Sequence, residues 1–351
     1  MRYGRLKKCF NMTEEQIRRT KEEADKRELQ WTEKRIEYNN TWPLGGVWHA
    51  DVQNALDSWM KAHIVNQLFV PVKLSATAKD VLFPQAKLNK LVSGILDIYD
   101  ELPYRPDEGF DIAWRSLEIF MNHHRGMAWK GEGDKTPHLI KRTVNDMVMP
   151  LVNGDSRVKD MLERYLSNIP LSTLVYTILR CYVEHDLAIN TQIDRVSARA
   201  EECLSKSLYE AIKTKYTFDD KVKPTVDVLR KAALLLQIIL RGEDVEVHGK
   251  HYQLGLEARL EFMLSCVLYT YRCERFHGDY FSPFKSDRAN LDTYAFSYYL
   301  LSFCYVYLWL LVHRHCELYN LGEVCSLDSI LTAANEMQKM QESLIVEGKK
   351  R

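Results

Sequence analysis

The chain has 351 residues, and its 48 lysines and arginines are balanced by 48 aspartates and glutamates, so the formal net charge is zero. This balance excludes a global field that would draw the protein to nucleic acid or to an anionic membrane, so any contact with a polyanion has to be local. The eight cysteines are scattered, mostly inside apolar helical runs. That distribution excludes a disulfide framework and indicates a reducing, cytoplasmic compartment.

The first predicted element is a charged helical arm over residues 1–45. The N-terminus lacks the apolar core of a secretory signal. Thr13 and Gln16 frame a capping-box pattern, and the stretch to about residue 39 is dense in lysine, arginine and glutamate at helical spacing. This composition predicts a solvated helix, with a partner-facing arm as the alternative.

A predicted N-terminal helical domain follows over residues 46–220. Apolar residues recur every three to four positions from Ala50 onwards, which is typical of core-facing helices. Pro103 and Pro106 interrupt the pattern, and a polar, glycine-containing loop begins near Gly126. The helices predicted here cover residues 87–99, 110–120, 139–152, 156–167, 171–184 and 190–216.

The predicted C-terminal domain covers residues 221–351 and is again helical. Its helices span residues 224–241, 253–276, 289–319 and 326–347. Between the first two, residues 244–254 alternate around His248-Gly249-Lys250, which predicts a short β-hairpin. The fold class is therefore all-α, with an N-terminal helical domain and a C-terminal bundle of four or five helices.

Residues 294–312 form a run of 19 residues without a charge, close to the length that spans a bilayer. The run carries five tyrosines and two serines through its middle. Membrane helices concentrate leucine, isoleucine and valine there and keep tyrosine at the interfaces. This composition favours a buried central helix over a membrane span.

The segment that carries chemistry ends the helix predicted over residues 253–276. An apolar stripe buries one face of that helix, and Gly278 just after His277 is a helix C-terminal signal, which places His277 where the helix dipole favours imidazolium. Arg272 lies five residues earlier, about 140° away in projection on an ideal helix. The two side chains therefore converge only if the helix unwinds at its end or if a second copy contributes to the site.

Residues 271–278, Tyr-Arg-Cys-Glu-Arg-Phe-His-Gly, resemble the R-x4-6-H signature of the HEPN superfamily. The long apolar helices on either side agree with it, so the resemblance covers about residues 224–320 and implies a HEPN-like bundle for the C-terminal domain. Residues 102–118 show a vaguer likeness to segments found beside such domains in bacterial proteins.

Many members of this superfamily are metal-independent ribonucleases of toxin-antitoxin, abortive-infection and CRISPR-linked defence systems. The resemblance implies that His277 moves a proton at the ribose 2'-hydroxyl or at the leaving 5'-oxygen, and that Arg272 stabilises charge on the phosphoryl oxygens. It implies RNA as substrate and neither cofactor nor metal. The implied partners are a second copy in a homodimer through the HEPN-like domain, and an antitoxin or a defence-complex subunit.

The remaining predicted site residues would bind substrate. Glu274 departs from the family pattern, which often has an uncharged polar residue there, because a carboxylate repels phosphate unless it is paired, for example with Arg275. The loop after the motif could line the cleft, with its cations reaching RNA phosphates. The predicted substrate-binding residues are Glu274, Arg275, Asp279, Lys285 and Arg288.

Two alternatives stay open at this stage. In the first, Arg272 and His277 only complement the helix end, and the chain is a non-catalytic HEPN-fold scaffold or an RNA- or nucleotide-binding subunit of a defence complex. In the second, a zinc site draws on a set of thiols and histidines, although their spacing is poor for a metal. The members of that set are Cys181, His185, His313, His315, Cys316 and Cys325.

Overall fold

The computed structural model describes residues 14–41, 50–65, 67–129, 136–183, 191–218, 224–276, 282–285 and 289–348. Over these ranges the chain is helical apart from loops and two short strands, which confirms the prediction of an all-α fold. The α-helices are α1 (Glu14–Thr41), α2 (Ala50–Ala62), α3 (Ala78–Leu82), α4 (Ala86–Leu96), α5 (Pro106–Met127), α6 (Thr136–Arg142), α7 (Met149–Gly154), α8 (Ser156–Ser167), α9 (Leu171–Ile178), α10 (Thr191–Leu204), α11 (Lys206–Lys215), α12 (Val226–Leu240), α13 (Leu256–Phe262), α14 (Tyr269–Phe276), α15 (Leu291–Leu318) and α16 (Leu327–Gly348).

Three π-helical stretches continue or join these helices. Thr143–Val148 joins α6 to α7, Leu179–Val183 extends α9, and Met263–Leu268 joins α13 to α14. A π-helical stretch widens the hydrogen-bond pattern without ending the helix. The run predicted over residues 139–152 is therefore helical without a break, and the run predicted over residues 253–276 is so from Leu256 onwards.

The helix predicted over residues 190–216 is in fact two helices, α10 and α11. Ser205 lies between them with a positive φ of 67°, in the left-handed region that cannot continue a right-handed helix. Its side-chain oxygen accepts a hydrogen bond from the backbone N–H of Leu208 and so caps α11. The prediction of one long helix was wrong at this position because the apolar spacing continues across the break.

Helix α15 lies at the centre of the fold. From Tyr294 to Val312 every residue except Phe296 is buried, and α15 packs against α5 and α16. A buried tyrosine hydroxyl needs a hydrogen-bond partner. Four hydroxyls of α15 find one on four different surrounding segments: Tyr298 on Pro103 O, Tyr299 on Tyr165 O, Tyr305 on Val72 N and Tyr307 on Thr143 Oγ1.

The tyrosines thus explain how a charge-free helix can be the core of a bundle. Among the described residues, α15 is the one helix long and apolar enough to cross a membrane by length and composition, and 94% of its most apolar window is buried inside the protein. A membrane span would instead present such side chains to lipid. The burial therefore agrees with the predicted central helix, and a cytoplasmic location stays a prediction.

The predicted hairpin is present. Strands β1 (Val245–Val247) and β2 (Lys250–Tyr252) pair antiparallel, with Val247 opposite Lys250. The two turn residues between them, His248 and Gly249, both have positive φ, as a two-residue type I′ turn requires.

The arm and the two predicted domains differ in how they are packed. The described side chains of α1 are exposed or half-exposed, and Arg18 pairs with Glu15 along the helix. One hydrophobic core, in contrast, contains residues from both sides of the boundary predicted at residue 220. Helix α5, from the N-terminal half, packs directly on α15. This contact places α5 beside the end of α14.

Candidate functional site

The described part of the motif lies on the last two turns of α14. Tyr271 of α14 is buried in the core, as are Leu264 and Leu268 of the π-helical stretch before it. The other side of α14 carries the charged residues of the motif. The partners of those charges decide what the helix end can do.

Arg272 lies at the surface of the bundle, with 20% of its side chain exposed. Its Nη2 is 2.9 Å from Oε1 and 3.0 Å from Oε2 of Glu118 on α5. The guanidinium carbon also lies 4.4 Å from the centre of the Phe276 ring, at the distance of a cation–π contact. Arg272 is therefore held at two points, by a carboxylate and by the aromatic ring one turn ahead.

Glu274 is buried, and its Oε1 lies 2.6 Å from Nε of Arg180, in the π-helical stretch after α9. The sequence suggested Arg275 as the partner that would neutralise this carboxylate. The structure corrects that assignment, because Arg275 points to α5 and Arg180 takes the pairing role. Glu274 thereby ties α14 to the N-terminal half of the chain.

Arg275 lies in a cluster of carboxylates at the start of α5, which we call the α5 acid cluster: Asp107, Glu108 and Asp111. Only 6% of the Arg275 side chain is exposed. Its nitrogens lie 2.5 Å from Asp111, 3.2 Å from Asp107 and 3.6 Å from Glu108. Arg105 also pairs with Asp107, at 3.0 Å. Two arginines thus share three carboxylates at this helix contact.

Burial disfavours the charged form of each group in this cluster, but the net pKa shifts of the two aspartates have opposite signs. Burial raises the pKa of Asp111 above its usual value and outweighs the hydrogen bond and charge of Arg275. At Asp107, burial is outweighed by Arg105 and then Arg275, so the pKa falls below its usual value. Burial also works against the charge of Arg275, but the hydrogen bond to Asp111 together with the charges of its neighbours outweighs burial and raises the pKa of Arg275, so it stays a cation.

Glu274 and Arg275 were predicted to bind substrate. Both use their charged groups in buried ion pairs that fasten the end of α14 to its neighbours. Arg272 is the more open of the two arginines, since 20% of its side chain is exposed against 6% for Arg275. The charged groups of Glu274 and Arg275 are therefore engaged within the protein.

The structure joins two segments that the sequence showed only separately. Residues 102–118 contain Asp107, Asp111 and Glu118, which pair with arginines of the motif. The spacings of four and seven residues between these acids place them on one face of a helix. That signal was present in the sequence, whereas nothing in it named the arginines that this face meets.

Four predicted site residues lie wholly or partly outside the described residues. His277, Asp279 and Arg288 fall in the undescribed ranges, and the side chain of Lys285 is not described. The backbone of Lys285 ends a 3-10 turn, Pro283–Lys285. Their roles stay predictions.

A second cluster of titratable residues lies at the C-terminal ends of α5 and α15. Nδ1 of His124 lies 3.3 Å from Nδ1 of His315, and both rings are buried. Burial, followed by neighbouring histidine charges, lowers the pKa of each to about 4. These pKa values leave both rings neutral at pH 7.

The zinc alternative finds no support in the described part of the chain. His313 Nδ1 contacts the carbonyl oxygen of Cys325, and Cys181, Cys316 and Cys325 are buried free thiols. No group of three or more histidine, cysteine or acidic side chains among the described residues could hold a metal ion. His185 lies outside those residues.

A pocket of ≈ 540 Å³ between α8 and α16 lies apart from the motif. Two arginines line it, and each is already paired: Arg157 with Asp328 at 2.8 Å and Arg164 with Glu342 at 2.8 Å. Their charges are thus satisfied inside the chain.

No protein-family model, curated protein or solved structure matches this chain.

Proposed function

We propose that this chain is a metal-independent endoribonuclease of the HEPN type, acting as a homodimer on RNA in a bacterial defence or toxin-antitoxin system. One observation supports it most directly. The guanidinium of Arg272 is half-buried on the last turn of α14 and stacks on Phe276, the residue directly before His277. An arginine and a histidine are the two groups that the reaction needs, and the sequence places His277 directly after the residue on which Arg272 stacks.

The proposed reaction uses only protein groups and RNA. The ribose 2'-hydroxyl loses its proton to an imidazole and attacks the adjacent phosphorus. The bond to the 5'-oxygen breaks, and that oxygen takes up a proton from an imidazolium. Arg272 stabilises the charge that develops on the non-bridging oxygens, because its planar fork stays charged and matches phosphate. The products are a 2',3'-cyclic phosphate and a free 5'-hydroxyl.

The dimer supplies what one copy lacks. One imidazole acts as base while another acts as acid, so two arginine–histidine sets in one cleft would serve both proton transfers. A closed twofold dimer brings the same surface of both copies together. Light scattering on the purified chain should therefore give twice the mass of 41.1 kDa. A strictly monomeric, active preparation would remove this part of the proposal.

A second candidate function is a non-catalytic helical scaffold or RNA-binding subunit. It is favoured by the pairing of each charged side chain of the described motif inside the chain: Arg272 with Glu118, Glu274 with Arg180, and Arg275 with the α5 acid cluster. In this case the ion pairs of α14 have a structural role and hold the predicted C-terminal domain against the predicted N-terminal domain.

An RNA cleavage assay in the presence of EDTA separates the two. The proteins compared are wild type, His277→Ala, Arg272→Ala and the control His251→Ala, which removes an exposed hairpin histidine. We expect EDTA-resistant cleavage by wild type and control, and a loss of about 100-fold or more in both motif variants. Cleavage that persists in His277→Ala, or that EDTA abolishes, would refute the proposed mechanism. An inert, dimeric wild type that binds RNA would favour the scaffold.

A further inference from the structure

We infer that Glu118 occupies the phosphate-binding edge of Arg272, so that substrate RNA must displace a carboxylate of the protein itself. This inference rests on the proposed function and adds a residue to it. Both oxygens of Glu118 lie within 3.0 Å of a single nitrogen, Nη2 of Arg272. The carboxylate thus covers the part of the guanidinium that would meet an anion.

The carboxylate of Glu118 and a phosphate of RNA can replace one another on Arg272, because a guanidinium binds both kinds of anion. A guanidinium binds carboxylate and phosphate through the same N–H donors, at similar distances and in the same plane. An oxygen about 2.9 Å from Nη2 therefore stands where a non-bridging phosphate oxygen would stand. Glu118 and an RNA phosphate cannot both hold that position.

The pair is accessible enough to exchange. The side chains of Arg272 and Glu118 are 20% and 23% exposed. The neighbouring Arg275 offers a contrast within the same helix turn, since it is 6% exposed and its partner Asp107 is fully buried. Water and a ligand can reach the first pair and not the second. Arg272 is thus the exchangeable cation, and Arg275 is the fixed one.

Arg272 also keeps its place without Glu118. Its guanidinium stacks on Phe276, and its backbone belongs to the end of α14, which the ion pair of Arg275 with Asp111 joins to α5. Neutralising Glu118 therefore removes a competitor and leaves the arginine oriented. The consequence is a specific kinetic signature, in which Glu118 sets the affinity for RNA and has little effect on the chemical step.

RNA binding tests this directly. The probe is a fluorescently labelled single-stranded RNA oligonucleotide, and its anisotropy is measured with EDTA present. Wild type and Glu118→Gln are each compared in the His277→Ala background, so that no cleavage intervenes. We expect about tenfold tighter binding for Glu118→Gln, which corresponds to about 1.4 kcal/mol. The slope of log K against log salt should also steepen by about 0.7, the value for one added phosphate contact on a single strand.

Two further variants control the comparison. Glu342→Gln makes the same change in a half-exposed arginine–glutamate pair far along the chain, with Arg164 at 2.8 Å, and should bind RNA as the unmodified protein does. Glu118→Asp keeps the charge but shortens its reach, so its affinity should lie between those of the parent and Glu118→Gln. Glu118→Asp also decides the question if the glutamine variant fails to fold.

The outcomes separate this inference from the nuclease itself. In the background with His277 intact, Glu118→Gln should lower KM with kcat changed less than about twofold, since the competing carboxylate is absent from the bound substrate complex and from the transition state alike. Binding that is unchanged or weaker, or a fall in kcat alone, would overturn the competitor role and make Glu118 a support for Arg272. Tighter binding without cleavage by any protein would keep the inference and reject the nuclease. Cleavage by wild type, together with an RNA affinity that Glu118→Gln does not increase, would keep the nuclease and reject the inference.

Discussion

Mild acid should destabilise this protein through the contact between His124 and His315. The two Nδ1 atoms are 3.3 Å apart in a buried site, so one ring donates its proton and the other accepts. Protonating the acceptor leaves two donors, and a positive charge, facing each other. His123 adds to this repulsion at both rings, while Asp146 partly offsets it at His124. Burial, followed by the charge of Lys87, lowers the pKa of His123 as well.

The expected size follows from the shift in pKa. Each ring has a pKa of about 4 in the folded state against an ordinary value of 6.5. That difference corresponds to about 3 kcal/mol for each ring. The folded pKa is lower, so the unfolded chain binds more protons between pH 4 and 6.5. The stability is therefore complete above about pH 6.5 and is lost as the pH falls towards 4.

Urea unfolding at a series of pH values from 4.5 to 7.5 measures this effect. Wild type should lose about 5 kcal/mol of unfolding free energy over that range beyond what the double variant His124→Asn/His315→Asn loses, because the unfolded chain takes up two protons that the folded chain excludes. The variant is less stable at pH 7 because it gives up ring packing, so the comparison uses the slope with pH. His251→Gln, at an exposed histidine whose pKa Asp244 raises, should not flatten the profile.

Equal slopes for wild type and the double variant would refute the reasoning. They would mean that the two rings titrate alike in the folded and unfolded chains. The carboxylates do not obscure the test, because wild type and the double variant carry the same ones, among them Asp107 with its lowered pKa and Asp111 with its raised pKa.

Three further predictions concern stability at pH 7, measured by urea or thermal unfolding. Arg275→Met should cost about 3–5 kcal/mol, because it leaves buried carboxylates without their cation; a loss under about 1 kcal/mol would show that the α5 acid cluster does not depend on it. Tyr307→Phe should cost about 1 kcal/mol through its 2.8 Å hydrogen bond to Thr143, and no change would mean that water replaces it. Gly242→Ala should cost more than about 1 kcal/mol, since φ is +81° and a Cβ would lie 2.8 Å from the Arg259 guanidinium; a stabilised variant would contradict that geometry.

Much of the fold could be predicted because its signals are local. Apolar spacing predicts the long helices, and the tyrosine content of residues 294–312 favours a buried helix, as found. The turn at His248 and Gly249 predicts the hairpin. The break at Ser205 was missed because a serine between two apolar runs carries no sign that its φ will be positive.

The candidate site was harder to predict. The motif on α14 and the acidic face of α5 each stood out, but the partners are 154 residues apart for Arg272 and Glu118 and 164 apart for Arg275 and Asp111. The sequence suggested Arg275 as the neighbour of Glu274, and the structure supplies Arg180 instead. An ion pair forms between charged groups that lie close together in the folded protein, and which groups lie close together depends on how whole helices pack.

The amino-acid sequence alone determined which stretches are helices, which faces they bury and that their charges sum to zero, because helix periodicity and capping act over a few residues. Only the tertiary structure decided which charges meet. It placed one arginine of the motif in a buried carboxylate cluster and the other at the surface against a single glutamate. Burial and exposure of chemically identical groups are set by the packing of distant segments, and they separate the structural arginine from the exchangeable one.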